Sequence, residues 1–94
     1  MLPSVPQRPR PLWAIEYEEE VKFYFLDNDP YSFSLLIRIE ELRYEPDAVP
    51  PEGCTPLIDE PNTYWWQVLD HDVLYEKIEE TNPPTLRILV IKPL

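Results

Sequence analysis

The sequence contains little of several residue types on which common functions depend. Its 94 residues include one glycine, one cysteine and one histidine. A single glycine cannot build the glycine-rich loops that cradle phosphates, so Walker-type and dinucleotide-binding enzymes are excluded. The single cysteine, Cys54, cannot form an internal disulfide, and nothing therefore requires an oxidising compartment.

Basic side chains are also scarce. Eight lysines and arginines stand against 18 aspartates and glutamates, which gives a formal net charge of −10. Nucleic acids and anionic membrane surfaces are bound mainly through Lys and Arg, so direct binding to either is not expected. A partner that is selected by charge is therefore expected to be basic.

Long hydrophobic runs are missing as well. The strongly apolar stretch near the C-terminus, residues 86–91, is interrupted by Arg87 and is far shorter than the roughly 20 residues of a membrane-spanning helix. The first residues lack the apolar region of a signal peptide. These features predict a soluble protein of the cytoplasm or another intracellular compartment, without membrane insertion.

Proline, by contrast, is abundant, and its 13 copies divide the chain. Residues 1–11 hold four prolines together with Arg8 and Arg10 and contain no acidic residue. Proline fixes φ and removes a backbone donor, so this segment is predicted to be an extended, proline-rich arm. Residues 12–94 are predicted to form a single acidic globular domain, because 44% hydrophobic and 13% aromatic residues suffice for a core.

Alternation of apolar and polar residues predicts several β-strands. Residues 13–17 alternate with one wet face, and residues 21–26 alternate with two apolar faces. An Asp-Asn-Asp-Pro sequence at 27–30 predicts a turn, and hence a hairpin between strands. Further strands are predicted at 64–69 and 86–91, the last of them central or nearly central in the sheet.

Two segments fit more than one structure. Residues 31–44 alternate with period two but also carry a helical stripe, with Asp29 and Pro30 placed to begin a helix. Their aromatic and β-branched residues favour a strand. The apolar spacing of residues 73–81 favours a short helix ended by the Asn-Pro-Pro sequence at 82–84, with a second hairpin as the alternative.

Residues 45–62 are predicted to form a long proline-rich loop without a regular strand or helix, because five prolines and the only glycine fall within them. The predicted fold class is α+β. It consists of a small, mostly antiparallel sheet of about four strands with one short helix, and the proline-rich arm precedes it.

Residues able to carry catalysis are few and are not grouped. His71 is the only histidine, and strand geometry keeps Asp70 and Asp72 from both meeting its ring. Nothing in the sequence places Cys54 near His71, and no metal-binding spacing of Cys, His or acidic residues is met. No enzymatic activity, metal or cofactor is therefore predicted, and His71 is interpreted as a surface residue near a helix start.

The proline-rich arm points to protein binding. Its segment Pro3-Ser4-Val5-Pro6-Gln7-Arg8 resembles the proline-rich ligands of SH3 domains, in which prolines fill aromatic grooves and a basic residue meets an acidic pocket. An extended arm also loses little entropy when it lies across a partner. The candidate contact residues in and just after the arm are Pro6, Arg8, Arg10 and Trp13.

The globular domain offers two further candidate surfaces. The aromatic residues at 64–66 are adjacent, so on a strand Trp65 faces away from its two neighbours and is the candidate anchor for a partner. Glu16, Glu18 and Glu20 are predicted to project from one strand face, about 6.8 Å apart. A row of carboxylates at this spacing suits a basic groove.

These observations lead to two functional hypotheses. The leading one is a non-enzymatic protein-interaction module, either an accessory subunit or a small regulator of a larger protein assembly. The alternative is an acidic nucleic-acid mimic, of the kind that phages encode as inhibitors. In the alternative, the row of glutamates occupies the basic groove of a nucleic-acid-binding protein.

Overall fold

The computed structural model describes residues 10–94, in which a five-stranded sheet and two α-helices form an α+β fold. The predicted fold class is confirmed, with one strand and one helix more than expected. The arm predicted for residues 1–11 lies, up to residue 9, outside the described residues. The elements in chain order are β1 (Ala14–Tyr17), α1 (Glu19–Asp27), α2 (Phe33–Glu40), a single 3-10 turn (Glu41–Tyr44), β2 (Cys54–Pro56), β3 (Thr63–Val68), β4 (His71–Ile78) and β5 (Thr85–Pro93).

The sheet has the strand order β1-β5-β4-β3-β2. Its first pair, β1 and β5, is parallel, and the other three pairs are antiparallel. The predicted mostly antiparallel arrangement is therefore confirmed, as is the internal position of the last strand. A β-bulge shifts the register of β4 and β5 between Leu74 and Tyr75.

The strand predicted at residues 21–26 is wrong, because this segment belongs to helix α1. Its residues are apolar at almost every position, and such a run fits both the strand period and the helix period. Two acidic residues, Glu19 and Glu20, occupy the first turn of α1, where the positive end of the helix dipole stabilises carboxylates. The Asp-Asn-Asp-Pro sequence consequently joins two helices and is not a hairpin turn.

The segment 31–44 is also helical, so the strand favoured by its alternation is wrong and the alternative is right. Leu35, Ile39 and Leu42 are almost completely buried, and their spacing of four and three residues is that of one helix face. Phe33 and Ile37, which the strand interpretation would bury together with Leu35, are exposed. Burial against the sheet thus decides between two periods that the sequence carries equally well.

Two predictions about the C-terminal half need correction. The helix predicted at 73–81 is wrong, because His71–Ile78 form strand β4 and pair with β3 and β5, as the alternative hairpin required. Leu69 and Asp70 both have positive φ and form the two-residue turn that joins β3 to β4. The loop predicted at 45–62 contains the short edge strand β2, where Pro56 is tolerated because it lies at a sheet edge.

The helices pack on one face of the sheet and form the core with it. Trp66, Val73 and Ile91 lie side by side on β3, β4 and β5 on this face, and all three are buried. The side chains of Val21 and Leu35 bring α1 and α2 into the same cluster. No helix among residues 10–94 is long and apolar enough to cross a membrane.

Candidate protein-interaction surface

The opposite face of the sheet carries none of the described helices. Strand register places Trp65 of β3, Leu74 of β4 and Val90 of β5 side by side there, because strand side chains alternate between faces. Trp65 is 42% exposed, and Leu74 and Val90 are half-buried. This surface is called the open face, and it includes Glu16, Trp65, Asp72, Leu74, Glu76, Arg87, Val90 and Lys92.

Charged side chains border the apolar row of the open face. Glu76, Arg87 and Glu16 are register neighbours on β4, β5 and β1. The Nη2 atom of Arg87 lies 3.3 Å from Oε2 of Glu16, and its Nε lies 3.9 Å from Oε1 of Glu18. These ion pairs are exposed, so each contributes only about 0 to 1 kcal/mol to stability. The strand register, which pairs Arg87 with Glu76 and Glu16, places it at the border of the apolar row.

The three glutamates predicted as an even row are distributed over different elements. Glu16 lies on β1, Glu18 precedes α1, and Glu20 lies in the first turn of α1. Since the chain turns from strand into helix after Glu18, the strand spacing does not extend to Glu20. Glu16 and Glu18 share Arg87. The nucleic-acid-mimic hypothesis therefore loses the regular geometry on which it was based.

The other candidate contact residues fall in different places. Trp13 is 6% exposed, and its indole N–H donates to the carbonyl oxygen of Glu45 at 3.0 Å, so it belongs to the core. Arg10 is exposed at the beginning of the described chain. Pro6 and Arg8 lie outside the described residues. Of the candidate residues, Trp65 and Glu16 are the two that the structure places, exposed, on the open face.

His71 is not a surface residue near a helix start, as the sequence suggested, but a buried residue of β4 with 2% exposure. Its Nδ1 lies 2.7 Å from the carbonyl oxygen of Leu69. A carbonyl can only accept, so Nδ1 donates, and Nε2 accepts from the Tyr24 hydroxyl at 2.5 Å. With both ring nitrogens occupied, His71 connects α1 to the sheet and has no free nitrogen for catalysis.

Cys54 is half-buried on β2, and β3 separates its strand from that of His71. Its Sγ lies 3.6 Å from the Tyr75 hydroxyl. Burial raises the pKa of the Cys54 thiol, which keeps it protonated and weakly nucleophilic at neutral pH. Among residues 10–94, no group of three or more His, Cys, Asp or Glu side chains is placed to hold a metal ion.

The buried hydroxyl of Tyr75 predicts sensitivity to alkaline pH. It donates to the carbonyl oxygen of Ala48 at 2.6 Å, and burial, with Cys54 as a second cause, raises the pKa of Tyr75. In the unfolded chain tyrosine loses its proton near pH 10, so above about pH 10 the folded state binds more protons than the unfolded state. The free energy of unfolding should therefore fall as the pH rises.

Urea denaturation followed by circular dichroism at about pH 8, 10 and 11 measures this dependence. Tyr75→Phe should lower stability by about 1 kcal/mol at neutral pH, because it removes one buried hydrogen bond. The variant should also lose less of its free energy of unfolding above about pH 10 than the wild type does. The loss that remains should come from Tyr17, whose pKa is also raised by burial. An identical decrease in the wild type and the variant would show that Tyr75 does not cause it.

The sequence pattern alone did not identify Leu74, Val90 and Arg87 as residues of this surface. The signal that could have found Leu74 is the alternation of Asp72, Leu74 and Glu76 with buried Val73 and Tyr75 on β4. Only the hairpin interpretation of this segment exposes that pattern. Val90 faces the same side as Leu74 and Arg87 only because of the β-bulge, and no residue pattern in the sequence indicates that bulge.

No protein-family model matches this chain, and a search of curated proteins finds no significant sequence match. The functional argument therefore depends on the chemistry of the surface itself.

Proposed function

We propose that this chain is a non-enzymatic protein-interaction module, an accessory subunit or small regulator that binds a larger protein through its open face. The observation that supports this most is the exposed indole of Trp65, in register with Leu74 and Val90 on a face that none of the described helices covers. Tryptophan is enriched among the residues that dominate binding energy, and interfaces commonly combine an apolar centre with a polar rim.

The partner chemistry that fits this face is a protein surface with an apolar centre and a basic rim. The apolar row is bordered by three acidic residues, Glu16, Asp72 and Glu76, and by two basic residues, Arg87 and Lys92. The net charge of −10 adds a long-range attraction for basic partners. Charge would then guide the encounter, while burial of the apolar row would supply most of the affinity.

Affinity capture from a native extract tests the proposal with three forms of the protein: the wild type, Trp65→Ser and Ile58→Ser. Ile58 is 98% exposed in the loop between β2 and β3 and gives a matched loss of surface hydrophobicity. A true partner should be captured by the wild type and Ile58→Ser, remain bound in high salt, and bind Trp65→Ser about tenfold or more weakly after purification.

Two outcomes would contradict the proposal. One is a partner whose affinity is the same for Trp65→Ser and the wild type. The other is a nucleic-acid-binding protein that is released by high salt and lost when Glu16, Glu18 and Glu20 are changed to glutamine. The second outcome would support the mimic hypothesis instead, because exposed carboxylates act through salt-sensitive attraction.

A further inference from the structure

The charges of the open face follow an order that the proposed function does not use. The acidic residues Asp72 and Glu76 lie on β4, and the basic residues Arg87 and Lys92 lie on the neighbouring strand β5. The register places Asp72 beside Lys92 and Glu76 beside Arg87, on the same face of the sheet. An acidic strand therefore runs beside a basic strand, and the apolar row crosses both strands between the two charged pairs.

This order is self-complementary under a two-fold rotation. An axis that runs nearly parallel to the strands, between two facing sheets and midway between β4 and β5, places β4 of each copy over β5 of the other. Because the axis runs along the strands, each residue keeps its level. Glu76 then faces Arg87 of the second copy, and Asp72 faces Lys92 of the second copy. Both pairs occur twice in the contact.

The same rotation gives the exposed indole of Trp65 a place to pack. It places β3 of one copy over β1 of the other, because each lies one strand outside the central pair of β4 and β5. At the level of Trp65, β1 has already ended at Tyr17, and the β-bulge adds Leu89 to β5. Leu89 and the glutamates at 18–20 line a depression of about 480 Å³ there. An indole suits this depression, since its ring packs on leucine and its N–H donates to a carboxylate.

The charge balance of the open face permits contact between two acidic molecules. Three acidic and two basic residues leave the face with a net charge of −1, whereas the whole chain carries −10. Most of the repulsion between two copies therefore comes from other surfaces, and it is screened at physiological ionic strength, where the Debye length is about 8 Å.

The basic residues of the face are available for such a contact. Arg87 pairs with Glu16 at 3.3 Å and with Glu18 at 3.9 Å, but its side chain remains 41% exposed. A guanidinium has five N–H donors, so Arg87 can bind a further carboxylate. Lys92 is exposed as well. A second copy supplies both residues with the carboxylates of its own β4.

We propose that two copies of this chain pack open face against open face as a symmetric dimer, and that this dimer competes with the partner of the proposed function. Two facing sheets about 10 Å apart, with strands crossing at about 30°, are a common way to bury a sheet face. The competition rests on the proposed function, because both contacts use Trp65, whereas the self-association does not. The contact is small, since the four spacings between five strands span about 19 Å. A weak dimer, with a Kd on the order of 10–100 µM, is therefore expected.

Sedimentation equilibrium of the full chain, from about 5 to 500 µM in about 0.15 M NaCl, measures the self-association. Lys92→Glu should weaken it about tenfold or more, because two attractive pairs become repulsive. Lys22→Glu is the matched control. It makes the same charge change at an exposed position of α1, on the other side of the sheet, and should stay within about twofold of the wild type.

A pair of complementary variants tests the geometry of the contact. Arg87→Glu alone and Glu76→Arg alone should each weaken the dimer about tenfold or more, since like charges then face each other twice. An equimolar mixture of the two variants should associate within about threefold of the wild type, because their introduced charges are opposite and face each other. Circular dichroism of each variant verifies that it is folded, so the loss and its recovery report on the contact.

Three results would overturn the self-association without touching the proposed function. These are a wild type that stays monomeric up to about 500 µM, equal weakening by Lys22→Glu, and no recovery in the mixture. A captured partner that binds the dimer without dissociating it would overturn the competition. A dimer that behaves as described, together with a partner that binds Trp65→Ser like the wild type, would refute the proposed function and leave the dimer in place.

Discussion

Replacing Trp66 with alanine is expected to lower the free energy of unfolding by about 3–5 kcal/mol, whereas the same change at Trp65 lowers it by less than about 1 kcal/mol. Trp66 is 1% exposed and heads the largest fully buried side chains. Its ring packs beside Val73, and the Arg38 guanidinium carbon lies 5.2 Å from the ring centroid. Removing it leaves a cavity that so small a core cannot fill.

Urea denaturation of both variants measures this contrast. A loss of this size approaches the whole stability of a small domain, so Trp66→Phe provides a folded intermediate case with a smaller loss. Trp65→Ala should retain the wild-type midpoint nearly unchanged. Equal losses at positions 65 and 66 would contradict the assignment of the two indoles to opposite faces of the sheet.

Gly53→Ala is expected to destabilise the protein by about 2–3 kcal/mol. Gly53 has φ +74°, and a Cβ placed there would lie 2.6 Å from the carbonyl oxygen of Gln67. The substitution therefore combines an unfavourable backbone angle with a clash against the main chain of β3. A side-chain rotation cannot relieve the clash, because the oxygen belongs to the main chain. Separation of the two segments is also opposed, because the Gln67 N–H donates to the Gly53 carbonyl oxygen at 2.8 Å.

Glu52→Ala is the matched control, since Glu52 is the exposed neighbour on the same loop. It should change the free energy of unfolding by no more than about 0.5 kcal/mol. A Gly53→Ala variant as stable as this control would show that β2 and β3 are farther apart than the structure has them. Because β3 carries Trp65, displacement of Gln67 should also weaken partner binding at the open face.

The sequence predicted the fold best where only one period fits. At residues 64–69 the aromatic alternation leaves a strand as the simplest structure, and β3 is found there. The same alternation placed Trp65 and Trp66 on opposite faces, so the exposure of Trp65 was predictable, while its role in binding stays a prediction. At residues 86–91 a short apolar segment ended by proline likewise indicated β5.

Prediction failed where tertiary contacts make the choice. The apolar residues of segment 21–26 fit both the strand period and the helix period. In the structure β5 is the strand that pairs with β1, and segment 21–26 packs on the sheet as part of helix α1. The buried position of Trp13 depends on the carbonyl of Glu45, 32 residues away. The buried position of the His71 side chain likewise depends on its hydrogen bond with Tyr24 of α1. Such long-range partners leave no local signal.

The depression that α1 and α2 form between them was hidden from the sequence for the same reason. Both segments were interpreted as strands, whose side chains would be divided between two faces. Leu26 and Leu36 come together only once both helices are in place. The open face could be predicted in part, because its central residue, Trp65, lies on strand β3, which the sequence does indicate.

The central claim, that a protein partner covers the open face, is tested most directly by ¹⁹F NMR of the protein labelled with 5-fluorotryptophan. The three tryptophans report on different places: Trp13 and Trp66 on the core, and Trp65 on the open face. On titration with the partner recovered by affinity capture, the resonance of Trp65 should shift or broaden while the other two remain nearly unchanged. Partner binding that leaves the Trp65 resonance unchanged would contradict the claim.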